Sequence, residues 1–174
     1  PNAWGTVYAI HFLLEAEKKG YLVPEGMKRN ALNDLSRIAR NWKPEASYSA
    51  ESEEMTQAYR LFVLALGQVA EVGAMNRLKE SKTLMSMSRY LLAAGYALVG
   101  RPDVSKELVV KTTALTTACS GYDQTFGSDL RDASIRLMTL CLLDGGKEAA
   151  LLANEISKTL ASDDWLSTQS TAFS

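Results

Sequence analysis

Few side chains in this sequence could do acid–base or nucleophilic chemistry. The only histidine, His11, shares a helical stripe with Trp4, Tyr8 and Glu15. A catalytic imidazole needs a partner, and the sequence places neither a second histidine nor a cysteine near it. We therefore predict that His11 is a structural residue, packed in the core and hydrogen-bonded to Glu15 or to a neighbouring helix.

The two cysteines, Cys119 and Cys141, match neither a metal-ligand spacing nor a disulfide framework. Cys141 stands in an apolar helical run, so we predict that it belongs to the core. Cys119 lies in or near a turn-rich loop, and no base accompanies it. The sequence also contains no phosphate-binding glycine loop and no Ser-His-Asp order. This inventory predicts no catalytic, cofactor-binding or metal-binding residue and indicates that the chain is not a self-contained enzyme.

Charged residues cluster at two predicted helix starts. The acidic cluster Glu51, Glu53 and Glu54 suits the positive end of a helix dipole, and capping and solvation explain it. Asp129, Arg131 and Asp132 follow a capping residue, Ser128. A local salt bridge or a link between helices is the simpler interpretation of this second group, and orientation of a ligand is the alternative.

The elements that position these residues are all helical, because apolar residues recur at helical spacing and strand-like alternation is missing. Helices of one kind are apolar nearly all round and should be buried on most faces. They are Trp4–Glu15, Gln57–Val72, Leu84–Val99 and Leu130–Leu143. Helices of the other kind are amphipathic or short, and they come between the first. They are Pro24–Asn41, Ala74–Lys79, Val104–Thr117 and Lys147–Leu160.

This alternation predicts one row of helices facing inward and a second row facing solvent. The helices differ in length and share no consensus, so the fold we predict is all-α, a partial α/α toroid with alternating inner and outer helices. Residues 1–174 should form a single helical domain. Because core-forming patterns run up to both ends of the sequence, we expect this domain to be a fragment of a larger toroid. Gly95 should permit a close approach between two helices.

Composition narrows the classes of partner. The 174 residues carry a formal net charge of −1 with acids and bases interspersed, which gives no basic footprint for nucleic acid. No basic amphipathic face or bilayer-length apolar run predicts membrane contact.

Three stretches resemble segments of the thioester-carrying domain of bacterial α2-macroglobulin-like proteins, in the same order. They are Thr6–Ala16 with Lys19–Pro24, Thr125–Ala133, and Trp165–Gln169 with its following helix. The resemblance spans nearly the whole chain. It implies an α/α toroid from a protease trap related to complement proteins. In such traps a protease cuts a bait region, the molecule rearranges, and an internal Cys-Gln thioester acylates the attacker.

The resemblance also implies an extracytoplasmic location and no cofactor. Expected partners are the other domains of the parent protein and, through the full-length molecule, target proteases. The family motif is Cys-x-Glu-Gln, which neither Cys119 nor Cys141 begins. Since the family places that motif upstream of the passage resembling Thr6–Ala16, we predict no thioester residue in this chain.

A face for neighbouring domains is expected around the loops Ser120–Gly127 and Asp163–Gln169. Its candidate residues are Asp129, Arg131, Asp132, Trp165, Thr168 and Gln169.

Two other functions remain open from the sequence. The run Tyr90–Gly100 has the small and aromatic spacing of a tetratricopeptide-type hairpin, which favours a helical-repeat protein-interaction module. A toroidal enzyme acting on polysaccharides or isoprenoids is the other alternative. That enzyme would need carboxylates on inward helices, for which Asp129 and Asp132 are the candidates.

Overall fold

The computed structural model describes residues 2–44, 50–82, 84–112, 125 and 127–174, and these residues form helices and no strand. The helices are α1 (Ala3–Lys18), α2 (Glu25–Asn41), α3 (Ala50–Leu66), α4 (Val72–Lys79), α5 (Ser86–Leu98), α6 (Pro102–Thr112), α7 (Asp129–Leu142), α8 (Gly146–Leu160) and α9 (Thr168–Phe173). The predicted helix Val104–Thr117 corresponds to α6 as far as Thr112. Its remainder, and the prediction for Cys119, lie outside the described residues.

The helices are arranged in two rows. In the first row α1, α3, α5, α7 and α9 pack side by side in chain order. In the second row α2 packs on α1 and α3, α4 on α3 and α5, α6 on α5, and α8 on α7. The odd-numbered helices are therefore the inner row and the even-numbered helices the outer row, which confirms the predicted arc of an α/α toroid.

The centre of the arc is the contact between α3 and α5. From Ser52 to Ala65 every residue of α3 except Glu53 is buried, and α5 is buried from Tyr90 to Tyr96. Gly95 allows the two backbones to approach, because a Cβ added there would lie 3.6 Å from the Cα atom of Phe62. The all-round burial and the close approach at this glycine were both predicted.

Of the helices predicted to be buried on most faces, α1 is buried on one face only, and α7 is buried on most faces except in its last turn. The buried residues of α1 are Trp4, Val7, Ile10 and Leu14. On the opposite face Phe12 is 66 % exposed, because α1 lies at one end of the inner row and packs mainly on α2 and α3. The last turn of α7 leaves Cys141 and Leu142 exposed, so the prediction that Cys141 belongs to the core was wrong.

Local signals define several of the helix ends. Ser128 and Ser167 act as N-caps, with side-chain oxygens that accept hydrogen bonds from the amides of Arg131 and Ser170, both at 3.1 Å. Gly100 follows α5 with a φ of +74°, the left-handed conformation that ends helices.

Across the part of the chain that the structure describes, no helix is both long enough and apolar enough to cross a bilayer.

Candidate functional site

A buried arginine organises the start of α7. Arg131 is fully buried, and its Nε and Nη2 donate to Oδ1 of Asp132 at 2.8 and 2.6 Å. Its Nη1 donates to the carbonyl oxygen of Thr125 at 2.8 Å. The guanidinium carbon lies 5.2 Å from the ring centroid of Trp4, within cation–π range. The charge and the hydrogen-bonding groups of Arg131 thus largely find their partners inside the protein.

The same guanidinium joins segments that are far apart in the chain. Its Nη2 lies 3.9 Å from the sulfur of Met55 on α3, and Trp4 belongs to α1. Gly127 leaves room for it, because a Cβ there would lie 3.2 Å from Nη2. Arg131 therefore holds α1, α3 and α7 together, and the predicted link between helices is confirmed in a buried form.

Serine side chains connect α7 to α9. Ser170 is buried, and its hydroxyl lies 2.7 Å from that of Ser128 and 2.8 Å from that of Ser167. A second pair, Ser134 and Ser174, lies at 3.0 Å. Ser128 and Ser167 cap the starts of α7 and α9, and the hydrogen bonds Ser128–Ser170 and Ser134–Ser174 join the two helices.

His11 is a structural residue, as predicted. Its Nδ1 is hydrogen-bonded to the hydroxyl of Tyr59 at 2.8 Å, and its Nε2 lies 3.9 Å from a carboxylate oxygen of Glu15. The ring meets Phe62 edge-on at a centroid distance of 5.5 Å. Burial lowers the pKa of His11 to about 4, although the charge of Glu15 acts in the opposite direction. The imidazole is therefore neutral at pH 7.

The residues of the predicted interdomain face separate into two groups. Arg131 and Asp132 are buried within this chain and are occupied with each other. The other members reach the surface: Asp129 and Thr168 are exposed, Trp165 is 87 % exposed, and Gln169 is half-buried. The interdomain role of these four residues stays a prediction.

Glu54 corrects the interpretation of the acidic cluster at the start of α3. It is buried, and Oε1 accepts a hydrogen bond from the amide of Met85 at 2.9 Å. The hydroxyl of Ser81 lies 3.4 Å from Oε2. Burial raises the pKa of Glu54. Capping and solvation therefore do not explain this residue, which ties α3 to the segment between α4 and α5.

Arg60 is a second buried arginine, and the sequence patterns described above did not single it out. Arg60 is 6 % exposed, and its Nη1 donates to the amide oxygen of Gln57. Gln57 in turn donates to the carbonyl oxygen of Ala39 near the end of α2, at 3.0 Å. Burial lowers the pKa of Arg60 to about 10. Its signal in the sequence is that no other charged residue occurs between positions 55 and 66.

Arg60 lines a cleft of about 200 Å³. The other described residues that line it are Asn2, Ala3, Trp4, Trp42, Ser52, Glu53 and Thr56. The cleft thus lies where the start of α1, the start of α3 and the residue after α2 meet. Among the described residues no group of three or more histidine, cysteine, aspartate or glutamate side chains could hold a metal ion.

Inner and outer helix rows, joined by buried polar contacts, give this chain an all-helical fold of the α/α-toroid class. No protein-family model matches the chain. α2-Macroglobulin of Escherichia coli is 29 % identical to it over an alignment of 178 positions, which covers 95 % of this chain and 11 % of that protein. The chain is thus homologous to a segment of bacterial α2-macroglobulin and spans about a tenth of its length.

Solved structures show the same fold. The native conformation of E. coli α2-macroglobulin matches 99 % of the chain with a TM-score of 0.82 at 23 % identity, over 11 % of its own length. A structure of the E. coli protein from domain MG7 to the C-terminus gives 0.81 at 23 % identity, over 99 % of this chain and 29 % of that one. Salmonella α2-macroglobulin reacted with methylamine gives 0.80 at 24 % identity, over 99 % and 12 %.

Proposed function

We propose that this chain is a structural arc of the thioester-type domain of a bacterial α2-macroglobulin-like endopeptidase inhibitor. The observation that carries the proposal is the alignment with E. coli α2-macroglobulin along 95 % of the chain, together with the matching helical fold. Structures of the E. coli protein include forms activated by trypsin and by porcine elastase, and the Salmonella protein has been reacted with methylamine. Those relatives supply the reactivity that we assign to the parent of this chain.

In this proposal the chain acts as a scaffold and not as an enzyme. A strained acyl donor survives only while packing keeps water away from it, so its domain needs a rigid frame. The buried α3 and α5 helices supply rigidity, and the Arg131–Asp132 pair fixes the start of α7. The exposed side chains Asp129, Thr168 and Trp165 are available to neighbouring domains of the parent. Residues 1–174 act as one helical unit, in an extracytoplasmic protein.

Covalent capture of a protease by the parent protein tests this proposal. We expect trypsin to form an adduct with the parent that survives boiling in denaturant. Parent that has first been treated with methylamine is the matched control and should form no such adduct, because an amine consumes the acyl donor. Capture that is unaffected by methylamine, or no capture at all, would contradict a thioester-type role.

A further inference from the structure

Among the residues that the structure describes, Arg60 is a buried cation without a carboxylate partner. It is 94 % buried, since 6 % of its surface remains exposed, yet its hydrogen-bond acceptor is the neutral amide of Gln57. Its Nε is sealed from solvent and has no acceptor. Leaving a buried charged group unpaired is costly, because the lost hydration is not replaced. A partner that supplied negative charge at this position would remove that cost.

Arg131, the other buried arginine described above, has a carboxylate partner that Arg60 lacks among the described residues. Arg131 uses Nη1 for a neutral oxygen of Thr125 and gives both Nε and Nη2 to the carboxylate of Asp132. Arg60 also uses Nη1 for a neutral oxygen, but in the described part of the chain its Nε and Nη2 donate to nothing. Nη2 lies on the edge of the guanidinium that a carboxylate can engage through a charge-assisted hydrogen bond. Arg60 thus repeats the arrangement of Arg131 with the carboxylate absent.

The surroundings of this edge suit a small anion. The cleft measures about 200 Å³, which is below the usual range for drug-sized ligands and large enough for a carboxylate with a short stem. Trp4 and Trp42 provide apolar walls, and Asn2 and Ala3 bring the positive end of the α1 dipole to the cleft. Glu53 also lines the cleft.

We propose that this cleft binds a carboxylate through Nη2 of Arg60. The carboxylate belongs either to a glutamate or aspartate side chain of a neighbouring protein segment or to a free small acid. The side chain and the free acid both present a carboxylate, which is the group that the cleft would bind. The inference does not depend on the proposed function, because it rests on contacts within this chain and its test requires this chain alone.

The test is a titration of the 174-residue chain followed by ¹H–¹⁵N NMR. The probes are acetate and N-acetylglutamic acid N-methylamide, with acetamide and N-acetylglutamine N-methylamide as matched neutral controls. We expect saturable shifts of the indole N–H signals of Trp4 and Trp42 with the carboxylates and none with the amides. The exposed Trp165 does not line the cleft and is the internal reference. Tighter binding of the glutamate derivative would identify a protein side chain as the source, and tighter binding of acetate a free acid.

A pair of variants ties the binding to Arg60. Arg60→Met should weaken carboxylate binding at least about tenfold, the effect of losing roughly 1.4 kcal/mol of interaction. Arg37→Met removes an exposed arginine elsewhere and should leave binding unchanged. If Arg60→Met does not fold, the comparison of carboxylate with amide on the unmodified chain still decides the matter. Equal responses to carboxylate and amide, no saturable response, or full binding by a folded Arg60→Met variant would overturn the proposal.

Discussion

The Asp132→Ala variant tests the buried ion pair that fixes the start of α7. In the native chain the carboxylate accepts two short hydrogen bonds from Arg131, and the two side chains are 1 % and 10 % exposed. Removing the carboxylate leaves a buried cation with the oxygens of Thr125 and the sulfur of Met55 as its remaining acceptors. Hydrogen bonds to charged groups contribute about 1.5–3 kcal/mol each, and breaking a buried pair on one side costs about 3–5 kcal/mol. We expect the free energy of unfolding to fall by about 3–5 kcal/mol.

Asp129→Ala is the matched control, because Asp129 is an exposed carboxylate in the same first turn. Like Asp132, Asp129 interacts with the helix dipole, and this interaction contributes about 0.3–1 kcal/mol. Unlike Asp132, it forms no buried ion pair with Arg131. Urea unfolding at pH 7 measures both variants, and Asp132→Asn offers a milder change if Asp132→Ala does not fold. A difference below about 1 kcal/mol between Asp132→Ala and Asp129→Ala would refute the view that Asp132 neutralises Arg131 in the core.

Three further predictions concern the inner row. The pKa of His11 is about 4 in the folded chain and 6.5 when unfolded, so stability should be full above pH 6.5 and fall by about 3 kcal/mol towards pH 4. The wild type minus His11→Gln difference in unfolding free energy across this range should show that slope, and a flat difference would contradict it. Leu140→Asp should abolish folding because it buries an unpaired charge, whereas Leu142→Asp, at a 40 % exposed position, should retain the native circular dichroism spectrum. Equal loss in both would show that α7 is oriented differently. Gly95→Leu should destabilise the chain by about 1–3 kcal/mol, since its side chain would meet the α3 backbone near Phe62. Unchanged thermal melting would mean that α3 and α5 do not approach closely.

The sequence predicts the helix rows well where composition alone decides burial. In α3 and α5 apolar or small residues occupy nearly every face, so these helices can be stable only in the middle of the row. The same reasoning fails for α1 and for the last turn of α7. Their apolar residues are numerous, but Phe12 and Leu142 point away from the helices that cover the other face. Periodicity reports which residues share a face, and it does not report whether another element covers that face.

The buried polar groups were harder to predict, because their partners are distant in sequence. Met55 lies 76 residues from Arg131, and Met85 lies 31 residues from Glu54. A sequence pattern shows Glu54 as one member of an acidic helix start and gives no sign of the loop that covers it. The exception is Ser128, whose capping role depends on a residue only three positions away.

Methylamine uptake by the parent protein tests the central claim most directly. If this chain is part of a thioester-type domain, mass spectrometry should show one amide adduct in the parent, at a Cys-x-Glu-Gln sequence on the N-terminal side of the helices described above. The 174-residue chain by itself should gain no mass. A native parent that takes up no methylamine would contradict the assignment to a thioester-type domain, and uptake by the isolated chain would reveal an acyl donor within these residues.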